Sequence, residues 1–222
     1  MELKISDWQG RWENFELWLD SDDPVLTQAW QEVESAIANG TIPARFAKAF
    51  GPDPRAFWKP LNATAMNGNA SKLGNWEIRP STDGTNSIEI TWFAADGQNL
   101  GSARYAPDHT VAKGLEGKPN LLLRAVEPTI VNPASETGSA QANTDWPFRW
   151  LMMMEPMPER TERENGGLIA HTHFQFGPEV ATIVDVDDKL TNPRWYATMC
   201  DEPRNNAERI RTIRSLHGLE WK

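Results

Sequence analysis

Cysteine, tyrosine and histidine are scarce in this chain. It has one cysteine, Cys200, so no intrachain disulfide can form, which suits a reducing compartment. There are 2 tyrosines against 11 tryptophans and 8 phenylalanines, and only 4 histidines. Positive charge is also short: 22 Lys and Arg face 31 Asp and Glu, a net charge of -9. An acidic surface repels phosphate backbones and anionic lipid, so neither nucleic acid nor membrane is an expected partner. No run approaches the roughly 20 apolar residues of a membrane helix. Met1 to Gly10 has neither a basic n-region nor an apolar h-region, so it does not read as a signal peptide, and a cytoplasmic location is expected. There is no Gly-x-Ser-x-Gly elbow, no phosphate-binding glycine loop, no internal repeat and no low-complexity tract.

What is present is enough for a core. Of 222 residues, 39% are hydrophobic and 24% charged, with a mean hydropathy of -0.58. That length and balance fit one globular domain over residues 1–222. The many indoles suggest a large cavity or a thick core with flat walls.

The periodicity changes along the chain. Asp7 to Trp18 mixes glycine with aromatics and suits an opening strand. Asp22-Asp23-Pro24 is a helix start, an acidic N-cap with proline in the first turn. Leu26, Trp30, Val33 and Ile37 follow at helical spacing up to Asn39-Gly40. A second short helix is expected over Pro43 to Phe50. From Trp76 the period is two: Ile88, Ile90 and Trp92 alternate with Glu89, Thr91 and Phe93, then Asp96-Gly97 turns the chain into Asn99 to Tyr105. Strands are expected at Leu121–Val126, Phe148–Met154, Leu168–Phe176 and Ala181–Val186, with a polar loop from Pro133 to Asp145 and a charged one from Glu159 to Gly167. Asn205 or Asn206 caps a last helix that stops at Gly218. Short strands with helices at both ends indicate a mainly-β, antiparallel barrel.

Two histidines form His171-Thr172-His173, ahead of Phe174-Gln175-Phe176. Residues two apart on a strand share a face, with Cα atoms about 6.6 Å apart. Two imidazoles can converge from there on one cation; a histidine pair hydrogen-bonded inside the barrel is the plain alternative. Glu155 ends the preceding strand just before Pro156. In a hairpin joining these strands it becomes a diagonal neighbour of His171, at about 7–8 Å. Two histidines and a carboxylate make a divalent site open to water or substrate. An inward Glu155 carries Met153, Leu151 and Arg149 inward with it, and sends Trp146, Phe148, Trp150, Met152 and Met154 outward. An inward Arg149 needs either a ligand anion or an internal acid. Met152-Met153-Met154 reads as core filling. His109, after Asp108 in an expected loop, could reach the barrel mouth as a fourth ligand or proton shuttle, or face solvent. His217 is expected to complement the dipole of the last helix.

The opening Asp7-Trp8-Gln9-Gly10-Arg11-Trp12, the helix after it, the Asp96-Gly97 hairpin running on to Tyr105, and the late His171-x-His173 strand fall in the order seen in the ZinT/YodA family. The chain resembles these lipocalin-like (calycin) zinc-binding proteins over most of its length. The resemblance implies a calycin-like antiparallel barrel with N-terminal and C-terminal helices and zinc ligation by His171 and His173. The family's third histidine falls here on Glu155, before Pro156-Met157-Pro158, and neither a periplasmic signal nor a His-rich loop like the family's is expected.

Two readings follow. In the first, one divalent metal near the barrel mouth serves an enzyme, a lyase or hydrolase, acting on a small organic substrate in the barrel. Zn²⁺ is the first choice, with Mn²⁺, Fe²⁺, Co²⁺ or Ni²⁺ also compatible. Arg149 then holds an anionic group and Glu155 shares in metal binding and catalysis. The scarcity of histidine and the many aromatics favour this reading. In the second, the protein is a non-catalytic zinc-handling protein of the ZinT kind. A third, metal-free reading has tryptophans gripping a flat apolar ligand.

Overall fold

The alternating segments form eight strands in the computed structural model, which describes residues 3–64, 72–82, 85–129 and 147–219. They are β1 (Gly10–Asn14), β2 (Leu73–Pro80), β3 (Ile88–Ala94), β4 (Asn99–Val111), β5 (Asn120–Thr129), β6 (Trp150–Met154), β7 (His171–Gly177) and β8 (Ala197–Asp201). Each pairs antiparallel with the next, and β8 pairs back with β1, so the sheet closes on itself and leaves no free edge. The fold is the expected mainly-β, lipocalin-like barrel with helices at both ends of the chain. The loop from Pro133 to Asp145, and Trp146 after it, lie outside the described residues. No described helix is long and apolar enough to cross a membrane.

The indoles explain the barrel's interior. Trp12 lies opposite Trp76, Trp76 opposite Trp92, and Trp92 opposite Gly101, so three large side chains line up across neighbouring strands where a glycine leaves room. Trp92 stacks on Phe148 with ring centroids 3.8 Å apart and planes 7° from parallel. Phe174 packs 4.6 Å from Trp76. Ile78, Ile90, Leu123, Leu151, Met153 and Met199 complete this core. Each fully buried large side chain contributes about 2–3 kcal/mol of burial free energy. The thick-core expectation is met. One end of the barrel is closed by a 3₁₀ turn at Ile5–Trp8, whose Trp8 Nε1 donates to the Met154 carbonyl at 2.8 Å and to Thr172 Oγ1 at 3.2 Å.

The helices form a layer on the outside. They are α1 (Glu16–Leu19), α2 (Pro24–Ala38), α3 (Ala44–Phe50), α4 (Pro54–Asn62) and α5 (Asn206–Leu216). Phe15, Trp18, Leu26, Trp30, Val33, Trp58 and Ile213 pack together over Cys200 on the barrel's outer face. Helix α2 begins as its sequence requires: the Asp23 carboxylate accepts from Val25 N at 2.8 Å with Pro24 in the first turn. Helix α5 begins with Asn205 accepting from Glu208 N at 3.2 Å.

One expected strand takes another form, and two elements, β8 and α4, are not expected from the sequence. The expected strand over Ala181–Val186 is a 3₁₀ turn at Val180–Thr182 and a single bridge, Val184 to Leu190. The Asp185 carboxylate accepts from Asp187 N and Lys189 N, which folds this segment into a tight turn instead of a ladder. Strand β8 carries no alternation because all five of its residues are buried between barrel core and helix layer. Helix α4 holds Pro54 and Pro60, residues that ordinarily interrupt a helix, yet Pro54 sits at its first turn behind the Asp53 cap.

Candidate functional site

Strand β7 is sorted as its alternation requires. Thr172 and Phe174 face the barrel interior, where Trp8 bonds Thr172 and Phe174 joins the aromatic core. His171 and His173 therefore take the outer face, opposite Cys200 and Thr198 of β8. They share a face, as expected, but it is not the face that lines the barrel. A metal at this pair would stand on the outer wall and not in the barrel mouth, because Phe174 and Phe176, the apolar half of the repeat, claim the interior.

The two imidazoles lie with ring centroids 5.2 Å apart. His173 is buried. Its Nδ1 is 2.9 Å from Thr198 Oγ1 and its Nε2 is 3.3 Å from Glu116 Oε1. The carboxylate can only accept, so Nε2 carries the proton, while Nδ1 shares a hydrogen bond with the Thr198 hydroxyl. The Tyr196 ring packs 4.4 Å from the His173 ring. His171 is half-buried and its ring nitrogens have no hydrogen-bond partner among the described residues. Burial, reinforced by the neighbouring His173, lowers its pKa to about 3, so it is a neutral imidazole with a free lone pair. The His173 hydrogen bond lowers Glu116 to about 2, so that carboxylate is ionised. Burial, with Glu116 adding to it, raises the Tyr196 phenol.

Glu116 escaped sequence reading. It lies 55 residues before His171, in a 3₁₀ turn at Leu115–Gly117 between β4 and β5. Nothing in Leu115-Glu116-Gly117-Lys118 signals a site. Only barrel closure brings this turn over β7.

The other candidate residues are spread around the molecule. The β6–β7 hairpin with its long loop forms as expected, extended by paired backbone hydrogen bonds between Met157 and His171 at 2.9 Å. Glu155, however, is half-buried in a cleft of about 420 Å³ at the closed end of the barrel, with Lys4, Asp7, Glu159 and Arg160. Leu151 and Met153 point inward as expected, but Arg149 is exposed and Phe148 occupies the interior. The alternation does not reach that far: β6 begins only at Trp150, and a turn at residues 147–149 resets the direction of the side chains. Arg149 is thus at the opposite end of the hairpin from His171. Met152, Met153 and Met154 are all buried, as core residues should be. His109 belongs to β4, not to a loop, and is exposed between Asp108 and Asp188. His217 is not a cationic cap. It is fully buried, accepts from Trp58 Nε1 at 3.0 Å, and bonds the Ile213 carbonyl through Nδ1 at 2.5 Å.

Among the described residues no three His, Cys, Asp or Glu side chains are already arranged to hold a metal ion. Comparison with models of known protein families and with curated proteins finds no match for this chain.

Proposed function

We propose that the protein binds one divalent metal ion, Zn²⁺ first, at His171 and His173, and that it handles the metal instead of using it for turnover in the barrel. One observation carries the reading: a neutral imidazole without a hydrogen-bond partner, His171, beside a second imidazole, His173, whose far nitrogen is held by Thr198. The donor set fits. Two nitrogens and a nearby carboxylate suit Zn²⁺, with Mn²⁺, Fe²⁺, Co²⁺ and Ni²⁺ as alternatives. A ligating histidine ordinarily donates its other N–H to a fixed partner. Thr198 can fill that role, because a hydroxyl that donates to Nδ1 can rotate to accept from it. The zinc ligation that the resemblance to ZinT-like proteins implies falls on the same pair.

The choice of metal handling over catalysis comes from volume. An enzyme of the expected kind needs space for substrate inside the barrel, and this interior is filled by Trp12, Trp76, Trp92, Phe148 and Phe174. Arg149, the expected anion holder, points to solvent. Elemental analysis of the purified protein tests the proposal. Wild type should carry close to one divalent ion per chain; His171→Ala and His173→Ala should lose it, and His217→Gln should keep it. Wild-type protein that neither retains a divalent metal nor takes up Zn²⁺, Mn²⁺ or Ni²⁺ on dialysis contradicts it.

A further inference from the structure

We infer that Glu116 is the third protein ligand at this site and that Lys118 competes with the metal for its carboxylate. The inference rests on the metal reading above.

The turn that carries Glu116 is built with unusual constraint. Glu116 has φ 54° and ψ 19°, in the left-handed region, and Gly117 follows at φ 70°. Glycine occupies that region freely and asparagine often does; glutamate seldom does. The surroundings impose the conformation. Gly114 N donates to the Lys118 carbonyl at 2.8 Å and Lys118 N to the Leu115 carbonyl at 3.0 Å. The buried Asn120 side chain accepts from Leu115 N. A Cβ at position 114 would collide with the Asn120 side chain, so glycine suits that position. Leu115 anchors the turn in a core patch with Val111, Leu122 and Met152 on the barrel's outer face. A strained glutamate held this firmly aims its carboxylate at His173 Nε2, the nitrogen a metal would use.

Glu155, at the position that the resemblance assigns to the third ligand, lines the cleft with Lys4 and Arg160. Glu116 supplies the missing carboxylate from another strand connection. Lys118 completes the picture. Its ammonium is 3.4 Å from Glu116 Oε2 and 2.9 Å from Met157 Sδ, and Met157 pairs through its backbone with His171. The ammonium thus lies against one ligand and beside the strand partner of another. A divalent ion drawing on the same carboxylate meets this fixed positive charge, and the two repel.

The plain alternative is an ion pair that only ties the turn to β7. The two differ in what Zn²⁺ affinity does. The experiment is competition of the full-length protein with a chromophoric chelator for Zn²⁺, on wild type, Glu116→Gln, Glu116→Asp, Lys118→Met, Glu155→Gln and His171→Ala, with thermal unfolding run on each. Glu116→Gln should bind about tenfold more weakly or worse, as loss of a ligand requires. Glu116→Asp, which keeps a carboxylate and suits the left-handed backbone better, should fall in between and covers the case in which glutamine disturbs the fold. Lys118→Met should bind several-fold more tightly, and Glu155→Gln should match wild type. Wild-type affinity in Glu116→Gln, with His171→Ala still inactive, overturns the ligand role of Glu116 and leaves the metal reading standing. Unchanged or weaker binding in Lys118→Met overturns the competition. No Zn²⁺ binding by wild type removes the metal reading and this inference together.

Discussion

Trp58 Nε1 donates to His217 Nε2 at 3.0 Å, and that single contact fixes the ionisation of a buried histidine. An indole N–H can only donate, so Nε2 must be an acceptor and the proton must sit on Nδ1, facing the Ile213 carbonyl. Protonating Nε2 would break the contact inside a cage formed by Trp30, Phe50 and Trp58.

Burial accordingly lowers His217 to about 4 from an ordinary 6.5. The unfolded chain takes up this proton near 6.5 and the folded protein only near 4, so stability is complete above 6.5 and falls as pH drops through that window. The full difference is on the order of 3 kcal/mol. His171, lowered to about 3, adds in the same direction. In His217→Gln, which can still serve both partners, the denaturation midpoint should fall less on acidification than in wild type. Equal slopes for the two proteins would show that His217 is not the buried neutral base described.

His109 should behave in the opposite way. Its Nδ1 is 2.8 Å from Asp108 and its Nε2 is 3.0 Å from Asp188. Two carboxylates can both be satisfied only by the imidazolium, and the Asp108 hydrogen bond, followed by the one to Asp188, raises its pKa above 6.5. Any stability it lends is complete below 6.5 and is lost as pH rises through the raised value. Exposure and salt keep that contribution small. An NMR titration should place the His109 midpoint above 6.5 and show Asp108→Asn lowering it; a midpoint at or below 6.5 would contradict the bridge.

The tryptophans of the core divide into bonded and unbonded indoles. Trp8 Nε1 reaches two acceptors, whereas Trp76 and Trp92 Nε1 are buried with no protein acceptor among the described residues. Changing each to phenylalanine removes comparable apolar surface. Trp8→Phe also removes an N–H donor from the Met154 carbonyl, which keeps Thr172 Oγ1 as a donor, a cost of about 0.5–1.5 kcal/mol. Trp8→Phe should therefore lower the urea midpoint more than Trp92→Phe does, and the reverse order would mean that these hydrogen bonds do not matter.

Much of the barrel is legible in the chain because interior and exterior alternate strictly in β3, where Ile88, Ile90 and Trp92 are buried and Glu89 is exposed. Helix α2 is equally legible through Asp23-Pro24 and its apolar spacing. The alternation is silent in β8, where both faces are covered, and it misleads near residue 149, where a turn intervenes before the strand. For the site, the sequence pairs His171 with His173 through simple strand geometry. It does not say which side of the sheet is the barrel's inside, since both faces of β7 are buried here, one by aromatic core and the other by an outer layer. Glu155 follows the preceding strand along the hairpin, but Glu116 is the acid whose carboxylate meets His173, and only the closed sheet brings the β4–β5 turn to β7.

The central claim is that His171 and His173 ligate a divalent metal, and four histidines are few enough to follow one by one. NMR correlation of the imidazole nitrogens during addition of Zn²⁺ at neutral pH tests it most directly. The account predicts that about one equivalent shifts the ring nitrogens of His171 and His173 to saturation, with the His173 proton moving to Nδ1, while His217 stays unchanged. Resonances of His171 and His173 that stay fixed under excess Zn²⁺, with any response confined to the exposed His109, would contradict it.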